Sequence, residues 1–176
     1  LRGGNIPKFA SFRQRRFKRI LEIADVVISP SAYLRESLNK FNKSIEIIPN
    51  PIDLKLYSFH ERRNVEPKLV WVRAFHEIYN HSLVPNVIFF LQTRYPNLSV
   101  TMVGPDKKDG SLQKMIKIAE EMKVIKKIKL TGGVSRKSVS DQLAQNDIFI
   151  NTTNFDNMPV SIIEAMASGL CIVSTN

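Results

Sequence analysis

From residue 69 onward, short apolar runs alternate with longer amphipathic stretches, and few folds accommodate that rhythm. Leu69-Val-Trp-Val72, Leu98 to Val103, Ile128 to Leu130, Asp147 to Ile150 and Cys171 to Val173 read as strands. The stretches between them carry apolar residues at helical spacing: 82–94, a helix on Leu112, Met115, Ile116, Ala119 and Met122, one from a Ser138/Asp141 capping pattern to about Gln145, and 159–168 before Gly169. Pro85 is tolerable because it falls near a first helical turn. The runs are apolar throughout rather than at every second residue, so both faces of each strand are covered. Strands of that kind alternating with helices form a doubly wound α/β fold with a parallel sheet. In such sheets ligands bind beyond the carboxyl ends of the strands. The loops after Val72, Val103, Leu130 and Ile150 are therefore the places to look for chemistry.

The front of the chain has the same grammar on a smaller scale. Residues 9–23 read as a basic helix, 26–28 as a strand, Ser31 as the cap of a helix over 32–41, and 45–48 as a strand that Pro49 stops. Residues 50–67 are polar, irregular and bounded by proline. The expected organisation is an end piece of one domain over 1–49, a linker over 50–67 and a larger domain over 68–176. The final strand is apolar enough to want a covering helix after it, and the first residue is Leu, so the chain reads as an internal piece of a longer protein.

Composition removes several alternatives. The 43% hydrophobic and 24% charged content of these 176 residues is that of an ordinary globule. One Cys excludes a disulfide scaffold and a structural Cys-type zinc site, and three His leave little for a metal. There is no Gly-x-Gly-x-x-Gly and no Gly-x-x-x-x-Gly-Lys-Ser/Thr, which argues against the common dinucleotide and P-loop classes. No apolar run approaches a membrane span. The net charge of +10, with a pI near 9.9, is unevenly placed. Arg2, Lys8, Arg13, Arg15, Arg16, Lys18 and Arg19 all precede the first acid, Glu22, and Lys123, Lys126, Lys127 and Lys129 form a second cluster. Such clusters attract anionic lipid, nucleic acid or phosphorylated substrates, or serve as solvated faces.

The segment Asn151 to Gly169 carries the most chemical information. Asp156 lies in the loop before a helix that Pro159 pre-organises, and the free N–H groups of that helix suit a diphosphate. Glu164, further along the helix, can accept hydrogen bonds from the vicinal hydroxyls of a ribose, and Asp156 can do the same for a sugar. Read singly, Asp156 is a helix cap, Glu164 a solvated helix residue, Arg73 a surface partner of Glu77 and His76 a structural loop residue. Cys171 reads as a buried thiol, and Trp71, Phe9, Phe12 and Phe17 as packing residues.

Together, an acid, seven residues and a second acid ahead of Ala165-Met-Ala-Ser-Gly169 resemble the E-x7-E motif of glycosyltransferase family 4, the retaining GT-B transferases. Ser29-Pro-Ser31, Ile48-Pro-Asn-Pro-Ile-Asp53, Trp71 to Asn80, Met102 to Ser111 and Asn151 to Asn154 resemble one bacterial branch of it. Leu1-Arg-Gly-Gly-Asn5 resembles a late loop of its N-terminal domain. The resemblance implies a GT-B fragment whose larger part is the Rossmann-like donor domain. It implies transfer of a sugar from a nucleotide sugar to a hydroxyl acceptor with retention, in cell-surface polysaccharide or glycolipid synthesis. The nucleotide sugar would be the substrate, with no metal and no separate cofactor.

The same resemblance implies roles for named residues. Glu164 would hold the ribose, and Asp156, with Asn157 beside it, would contact the donor sugar. Arg73 would neutralise the departing diphosphate, the backbone at Gly133 and Val134 would face the base, and Gly104 would let the chain pass close to the ligand. The chain departs from the family in two places. Ile78-Tyr79-Asn80 stands where a second phosphate-binding Lys is usual, and Asp156 stands for a Glu. The implied partners are a nucleotide sugar and a glycan or lipid-linked acceptor, with peripheral contact to anionic membrane, a cytoplasmic location and no nucleic acid. A GT-B epimerase or phosphorylase, and a basic module binding membrane or nucleic acid without catalysis, are the competing classes.

Overall fold

The computed structural model describes residues 6–41 and 44–175. The chain divides into two compact units: one from residues up to Pro51 together with Phe155–Val160, the other from Ile52–Asn154 and from Ser161 onward. No helix among the described residues is long and apolar enough to cross a membrane.

In the first unit, Phe17 and Leu21 stand one helical turn apart, as do Leu34 and Leu38, and each pair faces inward. With Ala10, Val27 and Ile45 they build a small core. The elements are α1 (Ile6–Phe12), α2 (Gln14–Glu22), β1 (Val27–Ser29), α3 (Ala32–Leu38) and β2 (Ile45–Ile47), and the two strands pair in parallel with Val27 opposite Ile45. The single basic helix expected over 9–23 is two helices broken at Arg13, whose φ of −123° and ψ of 44° leave the helical region. Across the break the i→i−4 bonds continue, the Arg13 N–H donating to Phe9 O and the Phe17 N–H to Arg13 O, both at 2.9 Å, and Ala10 and Phe17, seven residues apart, face the same core. Phe12, expected to pack, is 76% exposed. Ser31 caps α3 as expected, its side chain accepting from the Leu34 N–H.

In the second unit the strands are β3 (Lys68–Val72), β4 (Ser99–Val103), β5 (Ile128–Gly132), β6 (Ile148–Asn151) and β7 (Cys171–Ser174). They form one parallel sheet in the order β5-β4-β3-β6-β7. The helices α4 (Leu83–Leu91), α5 (Ser111–Glu121), α6 (Arg136–Ala144) and α7 (Val160–Ala167) fall one in each crossover. Successive residues of β3 enter different cores: Leu69 and Trp71 pack with Val84, Ile88 and Met115, while Val70 packs with Leu143, Phe149 and Ala165. That division is the period-two geometry of a strand covered on both faces. Each such side chain, removed from water, contributes about 1.5–3 kcal/mol.

Two local readings need correction. The cap of α6 is Ser135, not Ser138: the Ser135 side chain accepts from the Ser138 N–H, and Asp141 pairs with Lys137. Cys171, expected in the core, is exposed, because β7 is the last strand of the sheet on its side.

The irregular stretch before β3 is tied to this sheet by Arg62. Its guanidinium, with the side chain 6% exposed, donates to the carbonyls of Asn146 at 3.0 Å and Ser168, just past the ends of α6 and α7, and lies 3.6 Å from Asp147. A planar fork that satisfies carbonyls at two helix C-termini is a task for Arg rather than Lys.

Candidate functional site

The chain runs outward from β3 to β5 and then returns to place β6 on the other side of β3. This reversal is the topological switch point, where the loops of adjacent strands diverge and leave a crevice. Arg73 follows β3 and Thr152 follows β6. Gly104 follows β4, Gly133 and Val134 follow β5, and Glu164 lies on the helix after β6. The parallel sheet therefore delivers all of these to its carboxyl edge.

The loop carrying Arg73 is braced from both sides. On the β4 side the Arg73 N–H donates to Val103 O at 3.0 Å, and the Phe75 N–H donates to Pro105 O at 2.9 Å. Gly104 makes this zipper fit. A Cβ on it would lie 1.7 Å from the Arg73 carbonyl oxygen, and its φ is +152°. Close passage of one strand end to the next is by itself enough to require this glycine, beside the close passage to a ligand expected of it. On the β6 side, the Trp71 Nε1–H donates to Thr152 Oγ1 at 3.0 Å, and that hydroxyl donates to Tyr79 O at 2.8 Å. The Asn154 N–H donates to Ile78 O at 3.1 Å. The Arg73 guanidinium rests 5.1 Å from the centre of the Tyr79 ring, a cation–π contact that holds the charge on the loop.

The far end of this loop is held by Asp109. Its carboxylate accepts from the Glu77 N–H at 2.9 Å and from the Ser111 hydroxyl at 2.5 Å. These donors, the Ser111 hydroxyl foremost, hold its pKa well below the usual carboxylate range. His76, read as structural, caps the short 3-10 turn Glu77–Tyr79, its Nδ1 accepting from the Ile78 N–H at 3.2 Å. The neighbouring His81 is 1% exposed and stacks edge-on against Trp71 and Phe75. Burial pushes its pKa below the usual histidine value.

Glu164 is half-buried on α7. Its Oε1 accepts a 2.6 Å hydrogen bond from the Tyr57 hydroxyl, a partner that lies in the stretch read as a linker. Burial of the phenol, and then its bond to Glu164, push the Tyr57 pKa above the usual tyrosine range. Tyr57 therefore stays a neutral donor. A carboxylate offers about four lone-pair positions, so Glu164 keeps acceptor capacity for a ligand. Gly133 and Val134 sit in the exposed loop ahead of Ser135, the cap of α6. Sequence reasoning passed over Tyr57, Tyr79 and Thr152. The available signal was that Tyr57 ends an apolar cluster, Leu54 to Tyr57, in an otherwise polar stretch.

Asp156 and Asn157 are placed by the first unit. Phe155 packs its ring 5.9 Å from Tyr33, Asn157 Oδ1 accepts from the Ser31 hydroxyl, and Asn50 Nδ2 donates to Met158 O at 3.4 Å. Asp156 Oδ1 accepts from the Asn157 N–H at 2.7 Å. The acid-x7-acid motif thus draws its first acid from a segment that belongs with one unit and its second from the other. Leu1 to Asn5 lie outside the described residues.

Comparison with known proteins gives this edge a lineage. A family model described as "Glycosyl transferases group 1" matches residues 58–176. The chain is 23% identical over 177 residues to the capsular polysaccharide biosynthesis glycosyltransferase CapH of Staphylococcus aureus, covering 96% of this chain and 49% of that protein. It is 28% identical over 143 residues to a component of the phosphatidylinositol N-acetylglucosaminyltransferase of Homo sapiens, covering 81% of this chain and 28% of that one. Its fold matches the crystal structure of Anabaena HepE in complex with UDP and glucose with a TM-score of 0.78 at 14% identity, over 93% of this chain and 49% of that chain. The chain spans less than half the length of each of these proteins.

Proposed function

Since the chain belongs to the glycosyl transferases group 1 family, we propose that it carries most of the donor-binding domain of a retaining GT-B glycosyltransferase of the family 4 type. The reaction moves a sugar from a nucleotide sugar to a hydroxyl acceptor. The bond from the anomeric carbon to the diphosphate breaks, a bond to the acceptor oxygen forms, and the proton of the acceptor hydroxyl leaves on the departing diphosphate. Negative charge collects on the departing diphosphate, and Arg73 meets it from the switch point in place of a metal. Its loop is braced before substrate arrives, so little reorganisation is needed at the moment of reaction. Glu164 takes the ribose hydroxyls, Asp156 and Asn157 the donor sugar, and the backbone at Gly133 and Val134 the base.

The observation that supports this reading best is the pairing of Glu164 with a buried donor, Tyr57, on the helix that follows β6. A solvated helix residue would have no such partner. The names of the two relatives favour a glycan or lipid-linked acceptor in cell-surface polysaccharide or glycolipid synthesis. The exposed cations of α2, with Arg13 just before it, favour peripheral contact with an anionic membrane at its cytoplasmic face.

The test is titration of the intact protein with a panel of nucleotide sugars, followed by transfer assays with the one that binds. One donor should bind and be turned over, and Glu164→Ala should abolish both. Full activity of Glu164→Ala would sink the motif reading. Binding of no nucleotide sugar would sink the donor-domain reading.

A further inference from the structure

Resting on the reading that Glu164 receives the ribose, we propose that Tyr57 is a positioning residue that orients the Glu164 carboxylate and thereby sets the preference for ribose over deoxyribose. The two residues are 107 apart in sequence and meet at 2.6 Å. Tyr57 is only 8% exposed, and its ring is fixed among Val70, Leu143, Phe149 and Ala165. The turn before it is pinned as well. Asp53 caps Leu54–Leu56 by accepting from the Lys55 N–H at 3.1 Å, and the Ser140 hydroxyl holds Leu56 O. The phenol therefore presents its proton from a fixed point.

Glutamate is a flexible side chain, and a half-exposed one on a helix samples several rotamers. A bond from an immobile neutral donor to an ionised oxygen is among the stronger hydrogen bonds, and it selects one rotamer. The phenol cannot become a competing anion at working pH, because burial and the Glu164 charge both hold its proton in place, outweighing Arg136. With one oxygen held, rotation of the carboxylate is restricted, and its remaining lone pairs keep set directions. Two vicinal hydroxyls can then be met without further ordering of the protein, whereas a 2′-deoxyribose offers only one of them.

The experiment measures the dissociation constants of UDP, GDP and ADP and of their 2′-deoxy analogues on the intact protein, and carries forward the pair that binds tightest. Tyr57→Phe keeps the packing and removes the donor. The ratio of deoxy to ribo dissociation constants should fall on the order of tenfold, the size of one hydrogen bond to a charged group. The 2′-deoxy constant itself should hardly move, and in turnover the donor KM should rise with kcat little changed. An unchanged ratio overturns the proposal. Glu164→Asp draws the carboxylate away from the phenol with Tyr57 still packed, and it should lose the same discrimination. A retained ratio there overturns the proposal whether or not Tyr57→Phe folds. Glu164→Gln separates the two ideas. If Glu164→Gln leaves the ratio intact, the ribose reading itself has failed. If it collapses the ratio and Tyr57→Phe does not, only the role of Tyr57 has.

Discussion

Gly104 and Gly110 show how much a single hydrogen atom in place of a side chain can decide. Both have positive φ, +152° and +81°. At Gly110 a Cβ would meet nothing within 4 Å, whereas at Gly104 it would lie 1.7 Å from a backbone oxygen. Gly110→Ala should cost only the left-handed conformation, about 1–2 kcal/mol. Gly104→Ala must part the ends of β3 and β4, and should cost more than about 4 kcal/mol or prevent folding. Urea denaturation of the two variants side by side checks this. Equal losses would mean that the contact between Gly104 and the Arg73 carbonyl relaxes freely. Donor binding should fall with Gly104→Ala alone, since only that change moves Arg73.

At the scale of elements, the segment from Arg73 to His81 is sensitive to acid through His81. His81 is 1% exposed between Trp71 and Phe75. Its folded pKa lies below the unfolded value because burial outweighs the attraction of Asp109 and Asp106. As pH falls through about 6.5, the unfolded chain takes up a proton that the folded chain refuses. The stability that neutral His81 contributes is therefore complete above that pH and is lost progressively below it. Melting temperature measured from pH 7.5 to 5 should decline, and His81→Leu should flatten the decline. Parallel curves for the two proteins would assign the acid sensitivity elsewhere. Asp109 acts in the same direction at lower pH: its depressed pKa means that its hold on Glu77 and Ser111 is lost as pH falls below the carboxylate range.

At the scale of the molecule the governing quantity is the net charge of +10 and its location. On α2 and at the break before it, Arg13, Arg15, Arg16, Lys18 and Arg19 are all exposed. Lys18 has an acidic neighbour on its helix, with Glu22 at 3.6 Å. Exposed Phe12, Ile20 and Ile23 are interleaved with these cations. Near an anionic surface each cation contributes about 1 kcal/mol, attenuated by salt. Flotation of the intact protein with vesicles of phosphatidylcholine, with and without phosphatidylglycerol, should show binding only to the anionic set. That binding should be lost when Arg15, Arg16 and Arg19 are replaced by Gln. Equal binding to both vesicle types would leave the cluster as a solvated face.

Hydrophobic periodicity is a local property, and what depends on it was legible in the residues. The βα order, the strand positions to within a residue or two and the edge that holds Arg73, Gly133, Val134 and Glu164 all follow from which stretches are short unbroken apolar runs and which repeat at three to four residues. The helix end at Gly169 and the cap at Ser31 follow from the chemistry of single residues. Strand order does not: nothing in Lys68–Val72 or Ile148–Asn151 says that these strands are neighbours, and the switch point exists only because they are. The bond between Tyr57 and Glu164, the grip of Arg62 on two helix ends and the approach of Gly104 to Arg73 likewise join residues with no periodic relation. The exposure of Cys171 was decided by the place of β7 at the edge of the sheet. Contacts across long stretches of chain leave no repeating trace in sequence, so only the tertiary structure could supply them.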